Sequence, residues 1–131
     1  MNGSMRKIAL DTNVAIALLK GNEEIVKNIR LFNSICLPIT DCGELLFGAK
    51  NSARSKANLN LYRSFIDACE ILDTNSMVAE EYSDVRLELK LKGNPIPEND
   101  IWIAAICKTY GIELYTMDKH FSNISGLETI K

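Results

Sequence analysis

Ile8-Ala9-Leu10-Asp11-Thr12-Asn13 is the stretch from which the fold can be read. Three apolar residues in a row suit a strand buried on both faces, and the Asp-Thr-Asn that closes the run offers side-chain oxygens able to cap a following helix. The same strand-then-helix alternation continues along the chain. Val14 to Lys20 reads as a helix stopped at Gly21-Asn22, and Glu23-Glu24 open another that keeps Ile25, Ile29 and Phe32 at helical spacing. Ile35-Cys36-Leu37 is a second apolar run, closed by Pro38, after which Thr40 starts a helix carrying Glu44, Leu45, Phe47 and Gly48. Arg54 to Ala68 is amphipathic, with Leu61, Phe65 and Ala68 expected on its inner face. Glu70-Ile71-Leu72 is a third strand candidate.

Ser76 to Lys92 is the clearest helix, with Met77, Val78, Tyr82, Val85 and Leu89 as its stripe, Ser76 as its cap and Gly93 as its stop. Pro95 and Pro97 mark a loop, and Glu98 or Asn99 then opens a strongly apolar helix, Ile101 to Tyr110, ended by Gly111. Ile112 to Thr116 is β-branched and aromatic enough to be a strand. A short turn, Met117 to Ser122, leads to an extended piece near Leu127–Ile130. Apolar strands alternating with helices predict an α/β fold, with a mostly parallel sheet covered on both faces. In such folds functional groups gather at the carboxyl ends of strands, where the strand order reverses.

Composition narrows the class. A chain of 131 residues, 47% hydrophobic and 24% charged, has the size and balance of one domain, expected over residues 5–131. Met1-Asn2-Gly3-Ser4 is set aside as an expression scar. The apolar content excludes disorder, and the low Gly and Pro exclude collagen-like or linker character. Apolar runs break at Lys20, Lys50 and Lys108, well short of the roughly 20 residues of a membrane span. Fifteen basic against 17 acidic side chains leave a net charge of −2, which excludes a protein that coats duplex by charge alone. A nucleic-acid enzyme with a local basic rim remains open. Cys36, Cys42, Cys69 and Cys107 form no CxxC pair and have no nearby histidine, so zinc is not expected; they read as reduced core thiols of a cytoplasmic protein.

Four carboxylates stand where packing alone does not explain them. Asp11 follows the first strand, Glu44 lies early in a helix of mostly small and apolar residues, Asp100 opens the most apolar helix, and Asp118 closes the late strand. Each has a bland explanation taken singly: Asp11 as a helix cap, Asp100 as a favourable charge at a helix N-terminus, Glu44 as a solvated residue, Asp118 as a turn former. Together they map to the side of the sheet where an α/β fold builds its site. Like charges gathered there are costly unless a cation lies between them. An all-carboxylate set suits a hard divalent ion such as Mg²⁺, and so metal-assisted phosphoryl chemistry.

Asp11-Thr12-Asn13 after a first strand, Thr40 to Gly48 with Glu44, Asn99-Asp100 to Ala105, and Thr116 to Phe121 resemble the PIN domain, most closely the VapC-type toxins of toxin–antitoxin pairs. Arg86, ahead of the Gly93 loop and Asp100, is similar to that group's spacing. The resemblance runs from about Lys7 to the C-terminus. It implies a three-layer α/β/α sandwich, an endoribonuclease dependent on Mg²⁺ or Mn²⁺, a homodimer, and a cognate antitoxin. Carried over by position, it implies catalytic and metal-binding roles for Asp11, Glu44, Asp100 and Asp118, with Thr12, Asn13 and Thr116 as polar supports. The pattern departs at Asp41-Cys42-Gly43, where Gly stands before Glu44 in place of the more usual Ala.

RNA binding is expected from Lys50, Arg54, Lys56 and Arg63 after the Glu44 helix, and from Lys119 beside Asp118; a solvated helix face is the competing explanation. His120 reads as a turn or support residue and Trp102 as core. A receiver-type phospho-acceptor domain is the rival reading, and a catalytically inactive partner-binding module of the same fold is another. A receiver would show adjacent acids after the first strand, where this chain has Asp11-Thr12. A haloacid-dehalogenase-type phosphatase would need an acid where Asn13 stands.

Overall fold

Five strands form one sheet in the order β3-β2-β1-β4-β5 in the computed structural model, which describes residues 6–131. The expected scar Met1–Ser4 and the domain start at Met5 lie outside the described residues. The elements run β1 (Lys7–Leu10), α1 (Thr12–Leu19), α2 (Glu23–Ile29), β2 (Ser34–Pro38), α3 (Ile39–Lys50), α4 (Ser55–Ala68), β3 (Glu70–Leu72), α5 (Ser76–Lys92), α6 (Glu98–Tyr110), β4 (Glu113–Tyr115), a 3₁₀ helix (Lys119–Asn123) and β5 (Thr129–Ile130). The four strand pairings are all parallel.

Side chains alternate across the sheet, as the two-residue period of a strand requires. Ala9, Cys36 and Leu114 face a core built with α5 and α6. Ile8, Leu10, Leu37 and Tyr115 face a second core built with α1, α2 and α3, against which α4 also packs. Helices on both faces make the expected α/β/α sandwich. The register aligns Leu10 with Tyr115, so β1 and β4 end side by side. From β1 the chain moves to β2 and β3 on one side and returns to β4 and β5 on the other. The strand order therefore reverses between β1 and β4, the place where open α/β sheets take ligands. This order also removes the receiver reading, whose sheet runs 2-1-3-4-5.

Most expected elements stand where the sequence puts them, with local corrections. Asn75, not Ser76, caps α5, accepting the Val78 N–H at 2.9 Å. Met77 leaves the α5 stripe and is 66% exposed. In α4 the inner face turns to Tyr62, Phe65 and Ile66, leading on to Cys69, and Leu61 faces out. The late strand contracts to Glu113–Tyr115, and the expected turn after it winds into the 3₁₀ helix. Gly93 and Gly111 end α5 and α6 at φ 68° and 66°, left-handed positions that favour glycine. All four cysteines are free, three of them buried and Cys69 half-buried. Trp102 is half-buried against the α5–α6 core and stacks on Tyr82 with ring centres 4.0 Å apart. Among the described residues, no helix is long and apolar enough to cross a membrane.

Candidate active site

The site begins at the paired ends of β1 and β4. Asp11 donates its backbone N–H to the Tyr115 carbonyl at 3.0 Å, continuing the ladder one residue past β1. Its carboxylate then serves two partners. Oδ1 caps α1 by accepting the Thr12 N–H at 2.8 Å, and Oδ2 accepts the Thr116 hydroxyl at 2.9 Å. The capping explanation of Asp11 is therefore correct but incomplete. Burial pushes the Asp11 carboxyl above its usual range, with the nearby Asp118 charge adding to the shift, while the Thr116 and Thr12 hydrogen bonds pull the other way.

Asp118 and Asp100 approach from the other two directions. Asp118 caps the 3₁₀ helix, accepting the His120 N–H at 2.9 Å, and its own N–H donates to Thr116 Oγ1 at 3.0 Å. Asp100 lies in the first turn of α6. His120 Nδ1 stands 3.5 Å from Asp100 Oδ2 and 3.1 Å from Asp118 Oδ1, so one imidazole spans both acids. The Asp100 carboxyl is pushed up to about 6, first by burial and then by the Asp11 and Asp118 charges, against the lowering effect of His120. Asp11 and Asp100 are thus both raised first by burial and further by neighbouring acids, as expected of carboxyls drawn into one partly buried site.

Glu44 joins through Thr12. Glu44 lies in the second turn of α3, and Thr12 Oγ1 stands 3.1 Å from its Oε1. The helix runs unbroken through Gly43. Thr12 also stands 3.1 Å from Oδ1 of Asp41, which is not one of the four acids expected from the sequence. Asp41 is fully buried, its Oδ2 has no hydrogen-bond partner, and burial with the Asp11, Glu44 and Asp100 charges raises its carboxyl well above the usual range. The signal was present: Asp41, Leu45 and Ala49 fall at i, i+4 and i+8, which puts an acid on the buried stripe of α3.

The donor set fits a hard divalent cation. One ligand atom each from Asp100, Asp118 and His120 lies within 4.8 Å of the others, and the buried Asp41 oxygen without a partner lies in the same acidic neighbourhood. Asp11 and Asp100, raised by burial and then by neighbouring acids, are groups whose charged forms a cation would favour. Asp11, Asn13, Met117, Asp118, Lys119 and His120 line an open cleft here. Of the basic residues expected to hold RNA, Lys119 is in this cleft. Lys50, Arg54, Lys56 and Arg63 are exposed at the end of α3, before α4 and along it, and are not among the cleft's lining residues. Arg86 is engaged elsewhere, donating to the Tyr82 hydroxyl at 2.7 Å and standing 3.7 Å from Glu98.

The model of the PIN domain family matches residues 8–127. Among known proteins, the chain is similar to a tRNA(fMet)-specific endonuclease VapC of Salmonella typhimurium, 30% identical over 126 residues that cover 94% of this chain and 96% of the relative. Among solved structures, it is similar to DNA-bound VapBC from Salmonella typhimurium, with a TM-score of 0.88, 31% identity, and coverage of 96% of this chain and 98% of that one. It is also similar to VapBC2 from Rickettsia felis bound to a promoter DNA fragment, with a TM-score of 0.87, 26% identity, and coverage of 95% and 97%.

Proposed function

The chain belongs to the PIN domain family, and from that premise we propose that it is a metal-dependent endoribonuclease of VapC type, the toxin of a toxin–antitoxin pair. The observation that carries the proposal is the convergence of Asp11, Asp100 and Asp118 on the strand-order reversal, with Glu44 brought in through Thr12.

Asp11, Asp100 and Asp118 would hold Mg²⁺ or Mn²⁺, with Glu44 completing the acidic set. When bound, such a cation supplies Lewis-acid polarisation of the scissile phosphodiester and acidifies a water. The chain's own residues do the rest. Thr116 and the α1 N-terminus fix both oxygens of Asp11, so its direction does not depend on substrate. Thr12 holds Glu44, and Asn13 at the mouth of the cleft is a polar support. Lys119 lies where a phosphate flanking the cut can be neutralised, and the exposed Lys50, Arg54, Lys56 and Arg63, outside the cleft lining, would add phosphate contacts farther along the RNA. His120 Nδ1 lies between Asp100 and Asp118 and would be available as a further donor to a cation held there.

The named relatives are a tRNA(fMet)-specific endonuclease VapC and DNA-bound VapBC complexes, which supports RNA as substrate and an antitoxin as partner; a homodimer is the working form that the family resemblance implies. Free thiols and an RNA substrate suit the reducing cytoplasm. The test is cleavage of a mixed RNA pool by the purified chain with Mg²⁺, with Mn²⁺ and with a chelator. Metal-dependent fragments with 5′-phosphate ends are expected. Intact RNA in all arms, from protein that binds Mn²⁺, would favour the inactive binding module instead.

A further inference from the structure

Thr12 Oγ1 is 3.1 Å from Asp41 Oδ1 and 3.1 Å from Glu44 Oε1. A hydroxyl carries one proton and cannot make a full donor bond to two carboxylates. With both acids ionised, one contact would set a hydroxyl lone pair against a carboxylate lone pair. Placing a proton on one acid resolves the conflict: that acid donates to Thr12, and the Thr12 proton goes to the other.

The surroundings decide between them. Asp41 has no exposed surface and Glu44 is half-exposed. Asp41 Oδ2 is buried with no partner, and the charged groups around it are the acids Asp11, Glu44 and Asp100. A buried, unpaired carboxylate costs far more than the neutral acid. The proton therefore belongs on Asp41.

We propose that Asp41 is a positioning residue of the cation site: as a neutral acid it donates to Thr12, which turns the single Thr12 proton toward Glu44 and holds that carboxylate in one orientation. The inference rests on the reading of the acidic cluster as a cation site. It also separates Asp41 from the four acids carried by the family pattern, because its task requires a donor and not a charge.

The experiment is titration of the purified, metal-free full chain with Mn²⁺, followed by electron paramagnetic resonance, alongside thermal melts. Asp41→Asn keeps a donor facing Thr12 and should hold Mn²⁺ affinity within about threefold of the unmodified chain. Asp41→Leu removes the donor and should weaken Mn²⁺ binding about 10- to 100-fold, the range for lost support of a metal ligand, without lowering the melting temperature. Equal loss in Asn and Leu would overturn the proposal and make Asp41 a charged ligand. Unchanged affinity in Leu would overturn it as well. A metal-free arm keeps the relay separable from the cation reading. Thr12→Val, Asp41→Leu and the double variant should shift the melting temperature non-additively, by at least about 2 °C. Additive shifts sink the relay even if Mn²⁺ binds; absent Mn²⁺ binding with coupled shifts leaves the relay standing and sinks the cation site.

Discussion

The Thr116 hydroxyl donates to Asp11 Oδ2 at 2.9 Å, and Thr116 Oγ1 itself accepts the Asp118 N–H at 3.0 Å, so one side chain ties the end of β1 to the loop after β4. Thr116→Val keeps the shape and deletes both bonds. The lost bonds, with the Asp118 amide and a buried Asp11 oxygen left short of partners, should cost about 1–3 kcal/mol. The Asp11 carboxyl should also titrate higher, because the Thr116 bond opposes its upward shift. Urea melts and a Mn²⁺ titration check this; an unchanged midpoint would remove Thr116 from the frame of the site.

Asp100→Asn should separate catalysis from stability. RNA cleavage should fall by orders of magnitude, since an amide holds a cation poorly. Metal-free stability should rise by about 1–2 kcal/mol, because a carboxyl raised to about 6 is destabilising when ionised. The small loss of a favourable charge at the start of α6 offsets part of that gain. A variant less stable than the parent but fully active would reassign Asp100 to helix capping.

The same group sets a pH dependence. The folded Asp100 carboxyl at about 6 lies above its ordinary 3.8, so between those values the folded state binds the extra proton. Its cost is absent below the unfolded value, grows as pH rises through the window and is complete above pH 6. The melting-temperature gap between Asp100→Asn and the parent, both metal-free, should therefore be small at pH 4 and widest above pH 6. A gap that is flat with pH would contradict the raised carboxyl.

Divalent cations should reverse that cost. Mg²⁺ or Mn²⁺ binding only the folded chain raises the melting temperature by mass action, by about 2.7 kcal/mol of stabilisation at a hundredfold excess over Kd. Calorimetry with and without a chelator measures it, and no response to millimolar Mn²⁺ would leave the crowded acids without an explanation.

Gly43 offers a test unconnected to charge. It lies inside α3 just before Glu44, and a Cβ built there meets nothing within 4 Å. Gly43→Ala should stabilise the chain by about 0.5–1 kcal/mol through helix propensity and a less flexible unfolded chain. Chemical denaturation would show it, and a loss of stability would mean that the helix needs glycine for a reason other than space.

Much of this was legible in the sequence because buried strands are short apolar words. Ile8-Ala9-Leu10 and Ile35-Cys36-Leu37 could be little else once helices were seen between them. Gly93 and Gly111 punctuated their helices for a backbone reason that needs no tertiary knowledge. The α4 face is poorly legible because that helix has no fully buried residue; a weakly buried stripe is poorly marked by residue type. Asp41 carries no such mark of its role, because its meaning depends on Thr12, 29 positions away in sequence and joined to it only by the fold. The double contact of His120 is of the same kind, since Asp100 reaches it from a different element.

The bond between Asp11 and Thr116 spans 105 residues of sequence, which gives it a consequence during synthesis. Chains grow at about 5–20 residues per second, so roughly 5–20 seconds separate the two residues as the protein is made. Throughout that interval Asp11 has neither Thr116 nor Asp118 beside it. By the function proposed, the nascent chain lacks its assembled acidic site, and with it the ability to cut RNA, until the segment carrying Thr116 and Asp118 has been added and has folded against β1. Chains stalled at Ile112 should leave surrounding RNA intact, whereas release of the finished chain should start cleavage.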